Sequence, residues 1–263
     1  MPREREAVSL DFIVLGGDAR MPALAKRLRE GGFEARHMAK PTAEALAGAK
    51  GIVVNCPPKC GFTMEDILAL ASPEARVYLC GPVHWEDARI TDLWKDEALQ
   101  KENAWLTAEG ALCAAMRAGD RCLRDARVLV IGWGRIGGAL TEMLVALGAR
   151  VIVASRTQAH RHRAIERGAE AISPEQLPEV LPGIDILFNT APAMVLDAET
   201  LAHANRETLI IDLASLPYGV DLRAAWALGL RAWREPGLPG RYCPESAAAA
   251  LYRAMRRGGA AHD

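Results

Sequence analysis

The stretch Arg127-Val-Leu-Val-Ile-Gly-Trp-Gly-Arg-Ile-Gly137 decides the fold of this chain. A short apolar run, typical of a buried strand, leads here into a G-x-G-x-x-G sequence and then into a helical pattern over residues 136–147. In this motif Gly132 permits a tight turn, Gly134 lets the backbone approach a pyrophosphate, and Gly137 allows the helix to pack on the strand. The phosphates then lie on the unpaired N–H groups at the helix start. The stretch therefore predicts a Rossmann-like, dinucleotide-binding unit, with a purely structural glycine turn as the alternative.

The end of the next predicted strand indicates which dinucleotide binds. NAD-dependent enzymes carry an Asp or Glu there, which binds the ribose hydroxyls. In this chain the strand leads into Ser155-Arg156-Thr157, which has no carboxylate. A guanidinium and two hydroxyls suit the 2′-phosphate of NADP, which a carboxylate would repel. NADP is therefore the expected cofactor and NAD is less favoured; a solvated surface role for Arg156 is the alternative.

Two further loops follow predicted strands of the same sheet, Asn189-Thr-Ala-Pro192 and Asp212-Leu-Ala-Ser215. Ligands of parallel sheets bind at the carboxyl edge, where these loops lie. We expect Asn189 and Thr190 to line the nicotinamide ribose, with ordinary turn chemistry as the alternative. The complete predicted cofactor-binding set is Gly132, Trp133, Gly134, Arg135, Ile136, Gly137, Ser155, Arg156, Thr157, Asn189, Thr190, Pro192, Leu213 and Ala214.

Short β-branched runs alternate with Ala- and Leu-rich helical stretches along the whole chain, which is typical of βαβ units. The predicted fold class is α/β: two Rossmann-like, doubly wound parallel-sheet lobes, joined by a bridging helix over Thr107–Leu123 and a returning C-terminal helix over Glu245–Arg257. The predicted domains are an N-terminal substrate or partner lobe (1–105), the bridging segment (106–124), an NADP-binding lobe (125–240) and a tail that packs back on the first lobe (241–263).

Composition excludes several classes of function. The chain has 263 residues, of which 50% are hydrophobic and 25% charged, as in folded globular proteins. A formal net charge of −1 argues against nucleic acid or an anionic membrane as partner, since both require a clustered basic excess. The charged N-terminus lacks a signal-peptide core, so a cytoplasmic protein with reduced thiols is expected. Cys56 and Cys60 lack a second Cys or His pair at zinc-finger spacing, so no metal is expected.

Candidate substrate-side residues come from the first lobe. Asp18 and Arg20 follow its first strand and His84 follows a later one, so all three would face a cleft between the lobes. A histidine suits acid–base chemistry near neutral pH, with a polar surface role as the alternative. Thr107 and Glu109 stand where the bridging helix is expected to begin. Thr107 and the helix N-terminus would then face the cleft, whereas Glu109 alternatively stabilises the first helical turn.

On these motifs the chain resembles the A-type subunit of dipicolinate synthase, a family from spore-forming bacteria. The resembling stretches are Gly16–Arg20, Asn103 with Thr107–Gly110, Gly132–Gly138, Asn189–Pro192, and Asp212–Ser215 through Pro236–Gly240. The Gly-Gly-Asp-x-Arg and Pro-Gly-Leu-Pro-Gly sequences are the more specific of them. The chain departs from the family in its shorter segment around Cys56–Cys60, and in Tyr218 and Val220, which interrupt the usual Pro-Gly-Gly sequence.

The resemblance implies conversion of 4-hydroxy-tetrahydrodipicolinate to dipicolinate, by loss of water and oxidation, during sporulation in the mother-cell cytoplasm. It also implies a small flavoprotein-like B-type subunit of dipicolinate synthase as partner and a small dicarboxylate as substrate. In that reaction we expect Arg20 to clamp one carboxylate, Thr107 with the helix N-terminus to bind a second anion, and Asp18 or Glu109 to accept a proton. The Ala-rich helices would suit a homo-oligomeric interface.

Two other functions stay open. A D-2-hydroxyacid dehydrogenase would share the two-lobe layout, but it needs a late catalytic histidine and no His lies between Asp212 and Tyr242. A non-catalytic NADP sensor or scaffold protein is the alternative of a different class, because no residue of the sequence is unmistakably a catalyst.

Overall fold

The computed structural model describes residues 10–55, 57–83 and 85–259. The chain divides into two compact units: unit 1 comprises the chain up to Asn103 and again from Pro239, and unit 2 runs from Ala104 to Leu238. Each unit is built on its own parallel sheet, which confirms the predicted α/β class with two parallel-sheet lobes. No helix in the described ranges is long and apolar enough to cross a membrane.

Unit 1 has a five-stranded sheet in the order β2-β1-β3-β4-β5, and all neighbouring strands are parallel. This is the flavodoxin-like order, in which the winding reverses between β1 and β3 and leaves a crevice at their carboxyl ends. The elements are β1 (Phe12–Leu15), α1 (Arg20–Glu30), β2 (Ala35–Met38), α2 (Ala43–Gly48), β3 (Gly51–Asn55), α3 (Met64–Leu70), β4 (Arg76–Cys80) and β5 (Ile90–Asp92).

Both faces of this sheet are covered. Successive strand residues point to opposite sides, so Val14 packs with the apolar residues of α1, whereas Ile13 packs with those of α2 and α3. The central strands are therefore buried on both faces, which explains why they appear in the sequence as unbroken apolar runs.

The long helix that follows the first sheet along the chain differs from the prediction. It is α4 (Glu97–Ala118), not a helix over Thr107–Leu123. The segment before Thr107 consists mostly of good helix formers without Gly or Pro, and the carboxylate of Asp96 accepts the backbone N–H of Leu99 at 3.1 Å near the helix start. Gly119 follows the last helical residue. Thr107 and Glu109 therefore lie in the helix interior.

Unit 2 has a six-stranded parallel sheet in the order β11-β10-β9-β6-β7-β8. This is the strand order of dinucleotide-binding folds, and its switch point lies between β6 and β9. The elements are β6 (Arg127–Ile131), α5 (Arg135–Ala146), β7 (Arg150–Ala154), α6 (Gln158–Glu166), β8 (Glu170–Ile172), α7 (Leu177–Val180), β9 (Ile186–Asn189), α8 (Ala198–Leu201), β10 (Leu209–Asp212), α9 (Leu222–Ala227) and β11 (Arg231–Arg234).

The chain ends in two helices, α10 (Leu238–Tyr242) and α11 (Pro244–Arg257). The last three residues of the Pro-Gly-Leu-Pro-Gly sequence, Leu238–Gly240, thus form the first turn of α10. Helix α11 packs against α1 in unit 1, with Leu251 and Met255 in the same apolar cluster as Leu24 and Leu28. An ion pair of 2.7 Å between Arg257 and Asp96 lies at its far end.

Candidate functional site

The glycine loop of unit 2 follows β6 and opens α5, as the motif predicts. Gly132 has a left-handed φ of 98°, and a Cβ there would lie 2.6 Å from the Thr190 hydroxyl. A Cβ on Gly137 would overlap the carbonyl oxygen of Gly132. Both glycines are therefore required by the packing of the protein itself. Gly134 differs, because a Cβ there would meet nothing within 4 Å. The open space beside Gly134, at a helix N-terminus, fits the approach of a pyrophosphate.

The loop after β9 is hydrogen-bonded to the end of β6, at the switch point of the sheet. The backbone N–H and the hydroxyl of Thr190 both donate to the carbonyl of Ile131, at 2.8 and 2.9 Å. Asn189 is fully buried, and its amide donates to Asp212 at 2.8 Å and to the Ala191 carbonyl at 3.1 Å. Its side-chain oxygen accepts the Ala191 N–H at 3.2 Å. Both ends of the Asn189 amide are thus used inside the fold, where they position the loop, which argues against the ribose contact predicted for this side chain.

Asp212, at the end of β10, is the second fully buried polar group of this edge. One carboxylate oxygen accepts from Asn189 and, at 3.2 Å, from the N–H of Ala214. The other lies 3.5 Å from Nε of Arg234 on the neighbouring strand. A Cβ on Gly219 would overlap the Asn189 amide, so the chain after β10 also packs directly on this pair.

The end of β7 is basic and carries no carboxylate. Ser155 is buried, whereas Arg156 and Thr157 are exposed. The guanidinium of Arg161, on α6, donates to the carbonyls of Ser155 and Arg156 at 2.7 and 2.9 Å. His160 Nδ1 lies 3.4 Å from the Ser155 hydroxyl. Arg161 and His160 are absent from the predicted cofactor-binding set. Their position in the first turns of the helix that follows β7 is the feature of the sequence that indicates them.

In unit 1, Asp18 and Arg20 bind each other. Nε and Nη2 of Arg20 donate to the two carboxylate oxygens at 3.0 and 2.8 Å, and the Arg20 backbone N–H donates at 2.9 Å. Burial raises the pKa of Asp18, but the hydrogen bonds and positive charge of Arg20 outweigh it, so this pKa lies below the usual range. Asp18 is therefore a weak proton acceptor, which argues against the catalytic role predicted for it.

The two most specific motifs of the sequence meet in unit 1. A Cβ on Gly240 would overlap the carboxylate of Asp18, so the Pro-Gly-Leu-Pro-Gly segment reaches the Gly-Gly-Asp-x-Arg loop by direct backbone contact. Asn55, at the end of β3, lies 3.5 Å from Nη2 of Arg20. His37 Nε2, which the sequence did not indicate, lies 2.7 Å from the carbonyl of Gly16.

Two other predicted residues, Thr107 and Glu109, do not join these clusters. His84 lies outside the described residues. Thr107 is buried and Glu109 exposed, both inside α4. The prediction that Thr107 lies at a helix N-terminus is wrong, because its N–H lies ten residues past the helix start at Glu97 and is used within the helix. An anion site built on that N-terminus is therefore not available.

Comparison with known proteins first defines the class. Residues 88–215 match the family described as D-isomer specific 2-hydroxyacid dehydrogenase, NAD binding domain. Together with the strand order and glycine loop of unit 2, this match confirms the predicted Rossmann domain and is consistent with the predicted class, an NAD(P)-dependent oxidoreductase.

The resemblance to the A-type subunit of dipicolinate synthase is also confirmed. The chain is 34% identical to that protein from Bacillus subtilis (strain 168) over 169 residues, which are 64% of this chain and 57% of the relative. The alignment thus spans little more than half of the relative's length. The crystal structure of dipicolinate synthase A chain from Bacillus subtilis superposes with a TM-score of 0.77 at 25% identity, covering 95% of both chains. The corresponding crystal structure from Bacillus halodurans gives 0.79 at 24% identity, covering 96% of this chain and 98% of that one.

The contact between Gly240 and Asp18 makes a direct prediction. Gly240→Ala should lower the free energy of unfolding by about 2 kcal/mol, because the new methyl overlaps the carboxylate. The loss is expected although alanine favours the α10 helix by about 1 kcal/mol over glycine. Urea denaturation measures it.

Gly17→Ala is the matched control, since a Cβ on Gly17 would meet nothing within 4 Å. Its unfolding free energy should stay within about 0.5 kcal/mol of the wild type. Equal stability of the two variants would show that the predicted overlap is absent in solution.

Proposed function

We propose that this chain is an NADP-dependent oxidoreductase that converts 4-hydroxy-tetrahydrodipicolinate to dipicolinate. The substrate loses one molecule of water and then two hydrogen atoms, which yields the aromatic pyridine ring. NADP⁺, when bound, accepts two electrons and one proton, and the second proton is released. The observation that carries the proposal is the glycine loop at the switch point of unit 2, within a chain that matches the A-type subunit of dipicolinate synthase.

The cofactor would lie across the carboxyl ends of β6, β7 and β9. The first N–H groups of α5, next to Gly134, would bind the pyrophosphate. Arg156 would bind the 2′-phosphate of NADP, and Arg161 supports this assignment because it adds a second fixed positive charge at the same strand end. The absence of a carboxylate from Ser155-Arg156-Thr157 is what favours NADP over NAD.

The substrate is a dicarboxylate and requires fixed donors. We propose that Arg20 binds one carboxylate through Nη1, since Nε and Nη2 are used by Asp18. Asp18 then orients Arg20 rather than accepting a proton. Proton transfer by His84 or Glu109 stays a prediction.

A partner protein belongs to this proposal. The name of the Bacillus subtilis relative describes one component of a larger enzyme, so a second chain is proposed to act with this one. That partner is a small flavoprotein-like B-type subunit of dipicolinate synthase. On the basis of the family resemblance, we propose that the two proteins act together during sporulation, in the mother-cell cytoplasm. A homo-oligomer stays a prediction.

The choice of cofactor is tested by Arg156→Ala. We expect its affinity for NADPH to fall about tenfold, because a charge-assisted contact with the 2′-phosphate is lost, while its affinity for NADH stays unchanged. Isothermal titration calorimetry gives both values. Arg163→Ala, which removes an exposed arginine later in α6, is the control and should keep both affinities. An unchanged NADPH-to-NADH ratio in Arg156→Ala would rule out this assignment.

The reaction itself is tested by a turnover assay. The full chain is mixed with 4-hydroxy-tetrahydrodipicolinate and NADP⁺, with and without the flavoprotein partner. We expect the absorbance of NADPH to rise together with formation of dipicolinate, in equal amounts. If NADPH binds but neither signal changes under either condition, the chain is a non-catalytic NADP-binding scaffold and the proposed reaction is wrong.

A further inference from the structure

A pocket of about 320 Å³ opens in unit 2 at the carboxyl ends of β10 and β11. Its wall includes Leu213 and Ala214 of the predicted cofactor-binding set, but Tyr218 and Arg234 do not belong to that set. The residues of the wall that matter here are Asp212, Ser215, Tyr218, Arg234, Glu235 and Gly237. The pocket combines the buried carboxylate of Asp212, the carboxylate of Glu235, the aromatic ring of Tyr218 and the partly exposed guanidinium of Arg234.

Arg234 is held in place from two sides. Its Nε lies 3.5 Å from a carboxylate oxygen of Asp212, and its guanidinium carbon lies 3.5 Å from the centroid of the Tyr218 ring. The side chain nevertheless keeps 31% of its surface exposed. A guanidinium fixed by an ion pair and a cation–π contact loses little conformational entropy when it binds a ligand.

Asp212 orients Arg234 without occupying all of its donors. The carboxylate is fully buried. It also accepts hydrogen bonds from two other donors, the Asn189 amide at 2.8 Å and the Ala214 N–H at 3.2 Å. Within the described residues, neither its second oxygen nor Nε of Arg234 has a hydrogen-bond partner. The two groups thus meet as an ion pair and not as a closed bidentate pair. Because the Arg234 side chain is 31% exposed, we expect its outer nitrogens to be accessible to another anion.

Tyr218 is the second unusual feature. Its φ of 70° is the one positive value at a non-glycine residue in the described part of the chain. This conformation is costly for a bulky side chain and persists where the surroundings determine it, often at functional sites. Glycine adopts this backbone conformation at a lower cost than tyrosine does, and the ring of Tyr218 stacks on Arg234.

We propose that this pocket binds a carboxylate, with Arg234 as the binding residue and with Asp212 and Tyr218 as its positioning residues. The planar guanidinium offers parallel N–H donors that match the two oxygens of a carboxylate. On the sheet, β10 and β11 lie on the opposite side of β6 from β7, and therefore toward the nicotinamide half of a dinucleotide bound at the switch point.

This inference rests on the proposed function and deepens it. The carboxylate would be one of the two on the planar substrate, bound on the side of the sheet where the cofactor accepts electrons.

Isothermal titration calorimetry on the full chain tests the pocket with small probes. The wild type is titrated with pyridine-2-carboxylate, with its uncharged analogue pyridine-2-carboxamide and with inorganic phosphate, each in the presence of NADPH. We expect the carboxylate to bind at least about tenfold more tightly than the amide, because the amide lacks the charge-assisted hydrogen bonds to Arg234. Equal affinity for acid and amide, or tighter binding of phosphate, would contradict a carboxylate site.

Two variants assign the binding to this pocket. Arg234→Lys keeps a positive charge but loses the planar fork, and Tyr218→Gly suits the left-handed backbone but removes the ring. Both should weaken binding of pyridine-2-carboxylate about tenfold and leave that of the amide unchanged. Arg231→Lys, at the other end of β11, is the control and should match the wild type.

A purely structural role for Arg234 would lower the melting temperature of Arg234→Lys without changing its carboxylate affinity, and that result would overturn the proposal. If Arg234→Lys does not fold, Tyr218→Gly replaces it in the same comparison: an unchanged affinity for pyridine-2-carboxylate in Tyr218→Gly would overturn the proposal. The turnover assay separates the two proposals. Carboxylate binding through Arg234 without turnover would refute the reaction alone, whereas turnover with unchanged affinity in both variants would refute the pocket alone.

Discussion

The hydrogen bond from Asn189 to Asp212 joins the carboxyl ends of β9 and β10, and most of the functional edge of unit 2 depends on it. Its length is 2.8 Å and both residues are fully buried. Removing either partner would leave a buried polar group unsatisfied, at a cost of about 1–3 kcal/mol. On one side Asn189 holds the loop whose Thr190 contacts the end of β6. On the other side Asp212 holds Arg234.

This arrangement separates positioning from binding. The buried amide and carboxylate make their contacts within the protein, and they fix the groups that face outward: the glycine loop, the basic end of β7 and the guanidinium of Arg234. The net charge of the chain is −1, yet Arg156, Arg161 and Arg234 all lie along this edge, with the carboxylates of Asp212 and Glu235 beside Arg234. A phosphorylated cofactor and a carboxylate both suit such an edge, although the overall composition argues against nucleic acid. In unit 1, Asp18 and Arg20 form the corresponding fixed pair beside Gly240.

Much of this could be predicted from the sequence, because the central strands are buried on both faces and the glycine motif has a strict geometry. The strands that the sequence did not reveal are β2, β5 and β8, and each is an edge strand. Edge strands are partly exposed and carry polar residues, so they lack an apolar run. The predicted start of α4 is wrong because good helix formers continue without a break before Thr107. Contacts between distant parts of the chain determine the pairing of Tyr218 with Arg234 and the inward direction of Asn189. A local sequence pattern does not contain such contacts, so neither feature could be predicted.

The glycine loop of unit 2 is the inferred dinucleotide-binding site, although unit 1 also begins with a strand, a glycine turn and a helix. Hydrogen–deuterium exchange of the full chain, measured by mass spectrometry with and without NADPH, tests it most directly. We predict slower exchange on addition of NADPH in peptides that cover residues 132–138 and 155–157, and no change over residues 16–21. Protection confined to residues 16–21, or none in either loop at saturating NADPH, would contradict it.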